Sequence, residues 1–284
     1  MQTIEDLTAE FELHRPHLRA VAYRMLGSVS EAEDAVQEGW LRLSRSDTAA
    51  VDNLGGWLTT VVSRICLDEL RRRKARREDP IEDRLPDPII GGPHGHDPEQ
   101  QALMADSVGM AMLVVLDELG PAERLAFVLH DMFGLAFAEI AQIVERSTDA
   151  TKKLASRARR RVEAARATPD PDLGRQRAAV EAFQAAAREG DFEALLRILD
   201  PDVVLRSSKQ GVLSIVRGAA EVASGAAMFQ KLALAWRPVL VNGAAGVAVD
   251  VDGAIYSVAA FTVVGGRIVE IDIVVDPDRL AALE

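Results

Sequence analysis

The sequence predicts a multidomain protein: two all-α domains, the second with a helix-turn-helix, followed by an α+β domain. Apolar residues recur at three- and four-residue spacing through most of residues 1–166, which is the spacing of one helix face. An acidic stretch rich in proline and glycine interrupts that pattern at 78–102, and beyond residue 246 the pattern changes to the alternation of β-strands. We therefore expect domains at 1–77, 103–166 and 174–284, joined by a linker at 78–102.

The chain is acidic overall but basic in two places. Its 284 residues hold 33 Lys and Arg against 44 Asp and Glu, a net charge of -11, which on its own argues against a nucleic-acid-binding protein. Yet six of the seven residues at 71–77 are basic, as are six of the ten at 152–161. Because salt screens charges beyond about 8–10 Å, a phosphate group responds to these local clusters more than to the total.

The cysteine content and the N-terminal sequence restrict the possible classes of protein further. Cys66 is the single cysteine and lies in an apolar helical run, which predicts a small buried hydrophobe and no metal site, cofactor or nucleophile. The N-terminus lacks the basic start and apolar core of a signal peptide, and no run of about 18 apolar residues occurs. We expect a cytoplasmic protein without membrane association.

Three amphipathic helices are predicted in the first domain. The first ends near Gly27 and has an apolar face of Leu7, Phe11, His14, Leu18, Val21 and Met25. The second begins at a capping box of Ser30 and Glu33. Its inner face is Val36, Trp40 and Leu43, and its outer face is Asp34, Gln37, Glu38 and Leu41. The third follows a polar loop at 44–56, has an inner face of Trp57, Val61, Ile65 and Leu70, and runs into the first basic cluster.

The second domain contains the predicted helix-turn-helix, at residues 137–164. Its first helix has an inner face of Phe137, Ile140, Ala141 and Val144, and the pattern breaks before Ser147, which is placed to cap the next helix. That helix is expected to bury Ala150, Leu154, Ala158 and Val162. Its open face is cationic, as expected of a helix that reads a major groove. The alternative, a solvated charged helix, stays open for this segment taken alone.

The C-terminal domain is predicted to begin with helices near 176–189 and 192–199. Two β-rich runs, 255–264 and 267–275, are joined by two glycines, which is a strong hairpin signal. Helices followed by a curved antiparallel sheet make an α+β domain, one that could enclose a cavity.

Several motifs resemble bacterial extracytoplasmic-function (ECF) RNA polymerase sigma factors. Residues 34–41 (DAVQEGWL) and 67–72 (LDELRR) resemble the first conserved domain of that family, and 119–124 (LGPAER) and 155–162 (ASRARRRV) resemble the second. The tail at 266–280 (GRIVEIDIVVDPDRL) resembles the SnoaL-like (NTF2-like) extension of the SigJ type of these factors, and 84–88 (RLPDP) resembles a linker motif of that subgroup. A glycine-rich signature common in such extensions is absent, since 206–211 reads RSSKQG.

The resemblance implies three contact surfaces and two partners, core RNA polymerase and promoter DNA. The clamp helices of the polymerase would meet Asp34, Gln37, Glu38, Trp40 and Leu41, and the flap is its other expected contact surface. The −10 element would meet Arg64, Asp68, Arg71, Arg72 and Arg73, with the loop at 44–54 as the pocket for an extruded base. The −35 element would meet Lys152, Lys153, Ser156, Arg157, Arg159 and Arg160.

The linker and the C-terminal domain are expected to regulate these contacts. The interdomain residues that the resemblance points to are Leu85, Pro86, Asp87, Pro88, Asp276, Pro277, Asp278 and Arg279. The linker could imitate nucleic acid in an RNA channel or act as a solvated tether. The sequence leaves open a small apolar ligand of the C-terminal domain and a separate anti-sigma protein.

Two rival functions are weighed against the sigma factor. A helix-turn-helix regulator with a ligand-sensing domain needs neither a docking helix nor a basic third helix. An isomerase or cyclase of the C-terminal fold would use carboxylates such as Asp250 with Asp252, or Glu270 with Asp272. No histidine follows residue 130, so a histidine-based dyad in that domain is excluded, and alternating carboxylates more often mark the wet face of a sheet. We therefore expect no catalytic residues.

Overall fold

A computed structural model describes residues 4–46, 53–76, 85–92, 108–165, 169–209, 211–228 and 235–283. The chain divides into two compact units. The first contains Met1–Ile81 and Val115–Ala165, and the second contains Glu82–Val114 and Arg166–Glu284. The two predicted helical domains thus share one unit, and the predicted linker belongs with the C-terminal domain. The predicted pocket loop falls largely on 47–52, and the linker largely on 77–84 and 93–107, all outside the described residues.

Three helices form the first part of the first unit, as predicted: α1 (Ile4–Leu26), α2 (Val29–Leu43) and α3 (Leu54–Arg76). The helix α1 ends where Gly27 adopts a positive φ of 69° and donates its amide to the carbonyl of Tyr23. A left-handed residue at this position favours glycine because a Cβ would clash.

Two details of this part differ from the prediction. The N-cap of α2 is Ser28, not Ser30, and no side chain caps that end, so the predicted capping box is absent. In α3 the buried stripe is shifted by one residue: Leu58, Val62, Cys66 and Leu67 are buried, whereas Trp57, Val61 and Ile65 are half-buried. The reason is that α3 packs against helices on more than one side, so its apolar face is wider than one stripe.

The second part of the first unit follows the predicted order. The helix α4 (Met110–Asp117) crosses the division between the units, and α5 (Pro121–Phe127) begins at Gly120 with proline in its first turn, as expected. A π-helical turn (Val128–Met132) leads to α6 (Phe137–Val144) and α7 (Thr148–Ala164). The helix-turn-helix is therefore confirmed, with Glu145 in the left-handed region between its helices.

A buried arginine joins the two helical parts of the first unit. The side chain of Arg124 on α5 is 2% exposed, donates from Nε to the carbonyl of Arg24 at 3.0 Å, and pairs with Asp117. Arg24 lies in the last turn of α1, where carbonyl groups have no partner within the helix. The guanidinium group thus satisfies an acceptor of one helical part while it is anchored in the other.

Four helices and six strands lie in the described residues of the C-terminal domain, 169–209, 211–228 and 235–283. The helices are α8 (Leu173–Glu189), α9 (Phe192–Ile198), α10 (Ala219–Met228) and α11 (Pro277–Ala281). The strands are β2 (Leu199–Lys209), β3 (Val212–Arg217), β4 (Ala235–Val241), β5 (Ala244–Val251), β6 (Ala254–Val264) and β7 (Arg267–Val275). The α+β class and the hairpin between β6 and β7 are confirmed.

The sheet has seven strands in the order β1-β4-β5-β6-β7-β2-β3, where β1 is Ile90–Gly91 from the linker. It is mixed, not antiparallel as predicted, because β2 pairs with β7 in parallel. The first strand of the domain therefore lies beside the last, an arrangement that periodicity within each strand cannot reveal.

Both faces of this sheet are covered within the second unit. Residues such as Val247, Phe261 and Ile271 pack against α8, α9 and α10 on one face. On the other face, Val241 and Val274 pack in a cluster with linker, α4 and α11 residues: Leu85, Met110, Val114 and Leu280. Leu85 of the linker is thus part of this domain's core.

The residues just before α8 are hydrogen-bonded to the turn between β6 and β7. The carboxylate of Asp170 accepts hydrogen bonds from the amides of Gly265 and Gly266, both at 3.1 Å. Both glycines have positive φ, which a two-residue hairpin turn of this kind requires. Gln176 donates to the carbonyl of Asp170 at 2.6 Å. Ordered structure therefore starts at least three residues before α8.

Candidate nucleic-acid and linker-binding surfaces

The second helix of the helix-turn-helix, α7, presents a cationic face. Its N-cap is Ser147, as predicted, and the hydroxyl accepts from the amide of Ala150 at 3.2 Å. The buried residues are Thr151, Leu154, Ala155, Ala158 and Val162, so Ala150, predicted to be buried, is only half-buried. Of the six predicted −35 residues, Arg159 is half-buried and the rest are exposed: Lys152, Lys153, Ser156, Arg157 and Arg160.

Acidic residues of the same unit lie close to several of these cations. Arg157 and Arg161 are 3.6 and 3.7 Å from the two carboxylate oxygens of Glu123, and Arg159 pairs with Asp131. Surface pairs of this kind contribute roughly 0–1 kcal/mol. They orient the arginines but are weak enough for a phosphate group to replace the carboxylate.

The predicted −10 residues on α3 fall into two groups. Arg71 and Arg72 are exposed and pair with Asp68 and Glu69 one turn earlier, at 3.3 and 2.7 Å. Such pairs remain on the helix surface, where nucleic acid can reach them.

Arg64 and Arg73 have partners on other helices. Arg64 is exposed and donates to the carbonyl of Gln142 at 3.2 Å. Arg73 donates to the carbonyl of Leu26 at 2.9 Å and pairs with Glu31. Arg73 therefore satisfies the C-terminal end of α1, and its guanidinium group is already engaged.

Four of the predicted polymerase-binding residues share the outer side of α2, whereas Trp40 lies on its inner side: the four are Asp34, Gln37, Glu38 and Leu41. Asp34, Gln37 and Leu41 are exposed, Leu41 to 37%. Glu38 is half-buried and accepts from Arg42 at 2.9 Å, while the ring of Trp40 packs against Phe11 with centroids 5.1 Å apart. The surface mixes apolar, amide and carboxylate groups, as protein interfaces do.

The predicted linker motif is buried in the second unit. Residues 85–88 are all buried, with Leu85 at 2% and Asp87 at 4% exposure. Arg279 holds this segment: its guanidinium group pairs with Asp87 and donates from Nη2 to the carbonyl of Leu85 at 2.7 Å. We call these residues, 85–88 with Arg279, the linker clamp.

The neighbouring residues set the geometry of the linker clamp. Asn242 accepts from the amide of Ile89 at 3.0 Å through its side chain and donates its own amide to the carbonyl of Ile89 at 2.9 Å. Asp276 caps α11 by accepting from the amide of Arg279 at 3.1 Å, and Pro277 occupies the first turn. Asp278 is exposed. Of the predicted interdomain residues, the structure thus joins Arg279 to Leu85 and Asp87, with Asp276 at the start of the helix that carries Arg279.

A buried ionic cluster lies on the sheet face opposite α8, α9 and α10. Arg206 on β2 donates to Asp272 and to Glu270 on β7, both at 3.2 Å. Asp272 is 1% and Glu270 is 7% exposed, so the prediction that these carboxylates mark a wet face is wrong. The pKa of Asp272 is raised to about 7, chiefly by burial; the positive charge of Arg206 opposes this rise and the negative charge of Glu270 adds to it. Asp272 is therefore mostly protonated below about pH 7.

The other carboxylate pair does not join this cluster. Asp250 accepts two hydrogen bonds from Arg237, at 2.8 and 3.2 Å, which lower its pKa. Asp252 lies exposed in the following turn with a positive φ of 53°. The four carboxylates considered for catalysis therefore do not converge on one site.

Sequence reasoning missed Arg206 and Arg124. Arg124 stands at an inward position of an otherwise apolar helical pattern, which was the available signal, whereas the alternation in β2 gave no such signal for Arg206. Cys66 is buried as expected, and burial raises the pKa of its thiol to about 12. In the described residues, no helix has the length and apolar character to span a bilayer.

Comparisons with known proteins agree with this architecture. The Sigma-70 region 2 family matches residues 11–76, and the Sigma-70, region 4 family matches residues 109–162. The first match covers α1, α2 and α3, and the second covers the helix-turn-helix.

Two curated relatives come from Mycobacterium tuberculosis. The ECF RNA polymerase sigma factor SigJ is 42% identical over 220 residues, spanning 75% of this chain and 70% of the relative. The probable ECF RNA polymerase sigma factor SigI is 33% identical over 289 residues, spanning 100% of this chain and 98% of the relative.

A solved structure is similar over nearly the whole chain. The crystal structure of the Mycobacterium tuberculosis extracytoplasmic function sigma factor SigJ is 34% identical in sequence and has a TM-score of 0.75. The match covers 96% of this chain and 98% of that one, so it includes the C-terminal domain.

Proposed function

Because the chain belongs to the ECF RNA polymerase sigma factors, a family of transcription initiation factors, we propose that its three exposed surfaces contact core polymerase and two promoter elements. We further propose that its C-terminal domain regulates these contacts through the linker clamp. The observation that carries the proposal is the burial of residues 85–88 against Arg279. A tether that only joined two sigma domains would have no reason to be buried in a third.

Polymerase binding is assigned to the outer side of α2. An exposed Leu41 beside exposed Asp34 and Gln37 gives an apolar centre with a polar rim, which is the usual composition of an interface core and its edge. Trp40 supports this surface from below through its packing on Phe11.

Promoter contacts are assigned to α3 and α7. Arg64, Arg71 and Arg72 are exposed cations on α3, and Asp68 is exposed beside them. Arg73 is better assigned as a positioning residue, because its guanidinium group already joins α3 to Leu26 and Glu31. On α7 the exposed cations near the helix start suit base edges and those near its end suit phosphates.

The proposed regulation of the promoter contacts is based on the position of the linker between the two promoter-binding domains. The linker connects the two promoter-binding domains, so its path sets how far they can separate. While residues 85–91 are part of the C-terminal domain's core and sheet, this part of the linker is held by that domain. Release of this segment would let the two domains adopt the spacing that polymerase and promoter require.

The C-terminal domain is proposed to bind protein segments and to catalyse nothing. Its buried carboxylates face Arg206, and Arg206 neutralises much of their charge. This pairing leaves no ionised carboxylate exposed for proton transfer within the cluster. A histidine cannot substitute, since none follows residue 130.

The proposal is tested by transcription from promoter DNA with purified core polymerase and the full chain. We expect specific start sites that depend on both elements. Tight binding of promoter DNA without polymerase, and without initiation, would instead support a helix-turn-helix repressor or activator.

Truncations separate the regulatory part of the proposal from the promoter-binding part. Removal of everything after residue 170 should change the amount of transcript, and removal of 276–284 alone should reproduce the effect of losing Arg279. If both truncated proteins initiated like the full chain, the C-terminal domain would have no regulatory role.

A further inference from the structure

A carboxylate lies among the cations of α7, and the promoter contacts proposed above leave it without a role. Asp149 is in the first turn of the helix, and its side chain is 87% exposed. It forms an ion pair with Lys152 across 3.8 Å, one turn along the same face. Lys152, Lys153 and Ser156 are all exposed beside it.

Helix capping does not account for this carboxylate. The cap is supplied by Ser147, whose hydroxyl accepts from the amide of Ala150. Thr151 adds a second bond to this end, from its hydroxyl to the carbonyl of Ser147 at 3.0 Å. The carboxylate of Asp149 therefore extends from an end that is already capped.

On DNA, the same position brings a carboxylate to the base edges. The N-terminal residues of a recognition helix reach into the major groove, and the later residues lie near phosphates. A carboxylate near phosphates would be repelled, whereas in the groove it meets hydrogen-bond donors. The exocyclic N4 amino group of cytosine is the donor that Asp and Glu accept from in direct readout.

We infer that Asp149 is a specificity-determining residue that accepts a hydrogen bond from the N4 amino group of a cytosine in the −35 element. The inference rests on the promoter-binding role proposed for α7. Lys152 lies one turn away, so its positive charge reduces the repulsion between the carboxylate of Asp149 and the surrounding phosphates.

The test is initiation by the full chain with core polymerase on a promoter library in which every position of the −35 element is varied. The wild type should prefer cytosine at one position. Asp149→Ala should flatten the preference at that position alone, reducing discrimination by about 5- to 100-fold. Asp149→Asn should move the preference toward adenine, because an amide both donates and accepts.

Glu163→Gln is the matched control. It removes one negative charge from an exposed side chain of the same helix, about 20 Å away by helix rise. Its library profile should equal that of the wild type.

Two outcomes would overturn the assignment while leaving the proposed function intact. In the first, both Asp149 variants initiate with an unchanged sequence profile. In the second, both bind every sequence more tightly by the same factor, which would mean that Asp149 acts only through general repulsion of phosphates. A wild type that initiates but shows no −35 preference would instead contradict the promoter-binding role of α7 itself.

Discussion

Arginine has opposite uses in the two units of this protein. On α3 of the first unit, Arg71 and Arg72 are 51% and 61% exposed and pair with acids on their own helix. In the second unit, Arg206 and Arg279 are 11% and 12% exposed and join segments far apart in sequence. The first kind of pair contributes little to stability and can be exchanged for a phosphate, whereas the second kind fixes chain paths.

The exposed and the buried arginines suit different functions in the two units. A surface that must bind and release DNA cannot have its cations committed to buried partners. A domain that holds a linker needs the reverse, since removal of one partner leaves a buried charge uncompensated. Variants of these arginines test the difference between exposed cations that bind DNA and buried cations that hold chain segments.

Arg279→Ala should release the linker. It removes the guanidinium group that pairs with the buried carboxylate of Asp87, which is 4% exposed, at a cost of about 3–5 kcal/mol. Amide hydrogen exchange at Ile89 should accelerate by about 100-fold or more, because its hydrogen bond to Asn242 opens with the segment. Arg267→Ala, at an exposed arginine of the same domain, is the control and should leave exchange unchanged. Unaltered protection of Ile89 in Arg279→Ala would show that the clamp does not hold the linker.

Arg124→Ala tests an exception in the first unit, where Arg24 and Arg124 are buried. It removes the bond to the carbonyl of Arg24 and leaves Asp117 unpaired, so we expect a loss of about 3 kcal/mol in the free energy of unfolding. Arg42→Ala, which breaks an exposed pair with Glu38, should cost less than about 0.5 kcal/mol. Urea denaturation of both variants measures the difference, and equal losses would contradict the distinction between buried and exposed arginines.

The buried cluster predicts a pH dependence of the second unit. The pKa of Asp272 is raised to about 7, so between its ordinary value and pH 7 the folded state binds a proton that the unfolded state has lost. Stability is therefore greatest at low pH within this window and falls as pH rises through 7, by on the order of 2 kcal/mol between pH 5 and 8.

Urea denaturation at a series of pH values, with two variants, assigns this dependence. Asp272→Asn imitates the protonated acid and should remove most of the slope. Asp250→Asn is the control, since the pKa of Asp250 is lowered and lies outside the window. A wild-type stability that rises between pH 5 and 8 would contradict the assignment.

The smallest effects concern single cations on the recognition helix. Lys152→Ala and Arg157→Ala should each weaken promoter binding by the holoenzyme and reduce the slope of log affinity against log salt by about one unit. Arg175→Ala, at an exposed arginine of α8 in the C-terminal domain, serves as the control. An unchanged salt slope in the α7 variants would remove these residues from the DNA surface.

Much of the first unit could be predicted because its elements are local. The helix-turn-helix, the cap at Ser147 and the start of α5 at Gly120 and Pro121 all depend on neighbours within four residues. The shifted stripe of α3 could not be predicted, since it depends on which helices surround it.

The partners of the buried arginines could not be predicted from the sequence, because they lie far away along the chain. Arg279 and Asp87 are 192 residues apart, and Arg206 and Asp272 are 66 apart. No periodicity connects such positions. The linker clamp was suggested by a resemblance of motifs, and the parallel pairing that assembles Arg206 with Asp272 was not foreseen at all.

We propose that the linker clamp restrains the sigma domains in the free protein. Affinity for core polymerase, measured in parallel for the wild type, Arg279→Ala and Arg267→Ala, tests it most directly. We predict tighter binding by Arg279→Ala alone, because the free protein no longer has to release its linker first. Equal affinities in all three, with the linker of Arg279→Ala shown by hydrogen exchange to be free, would contradict the account.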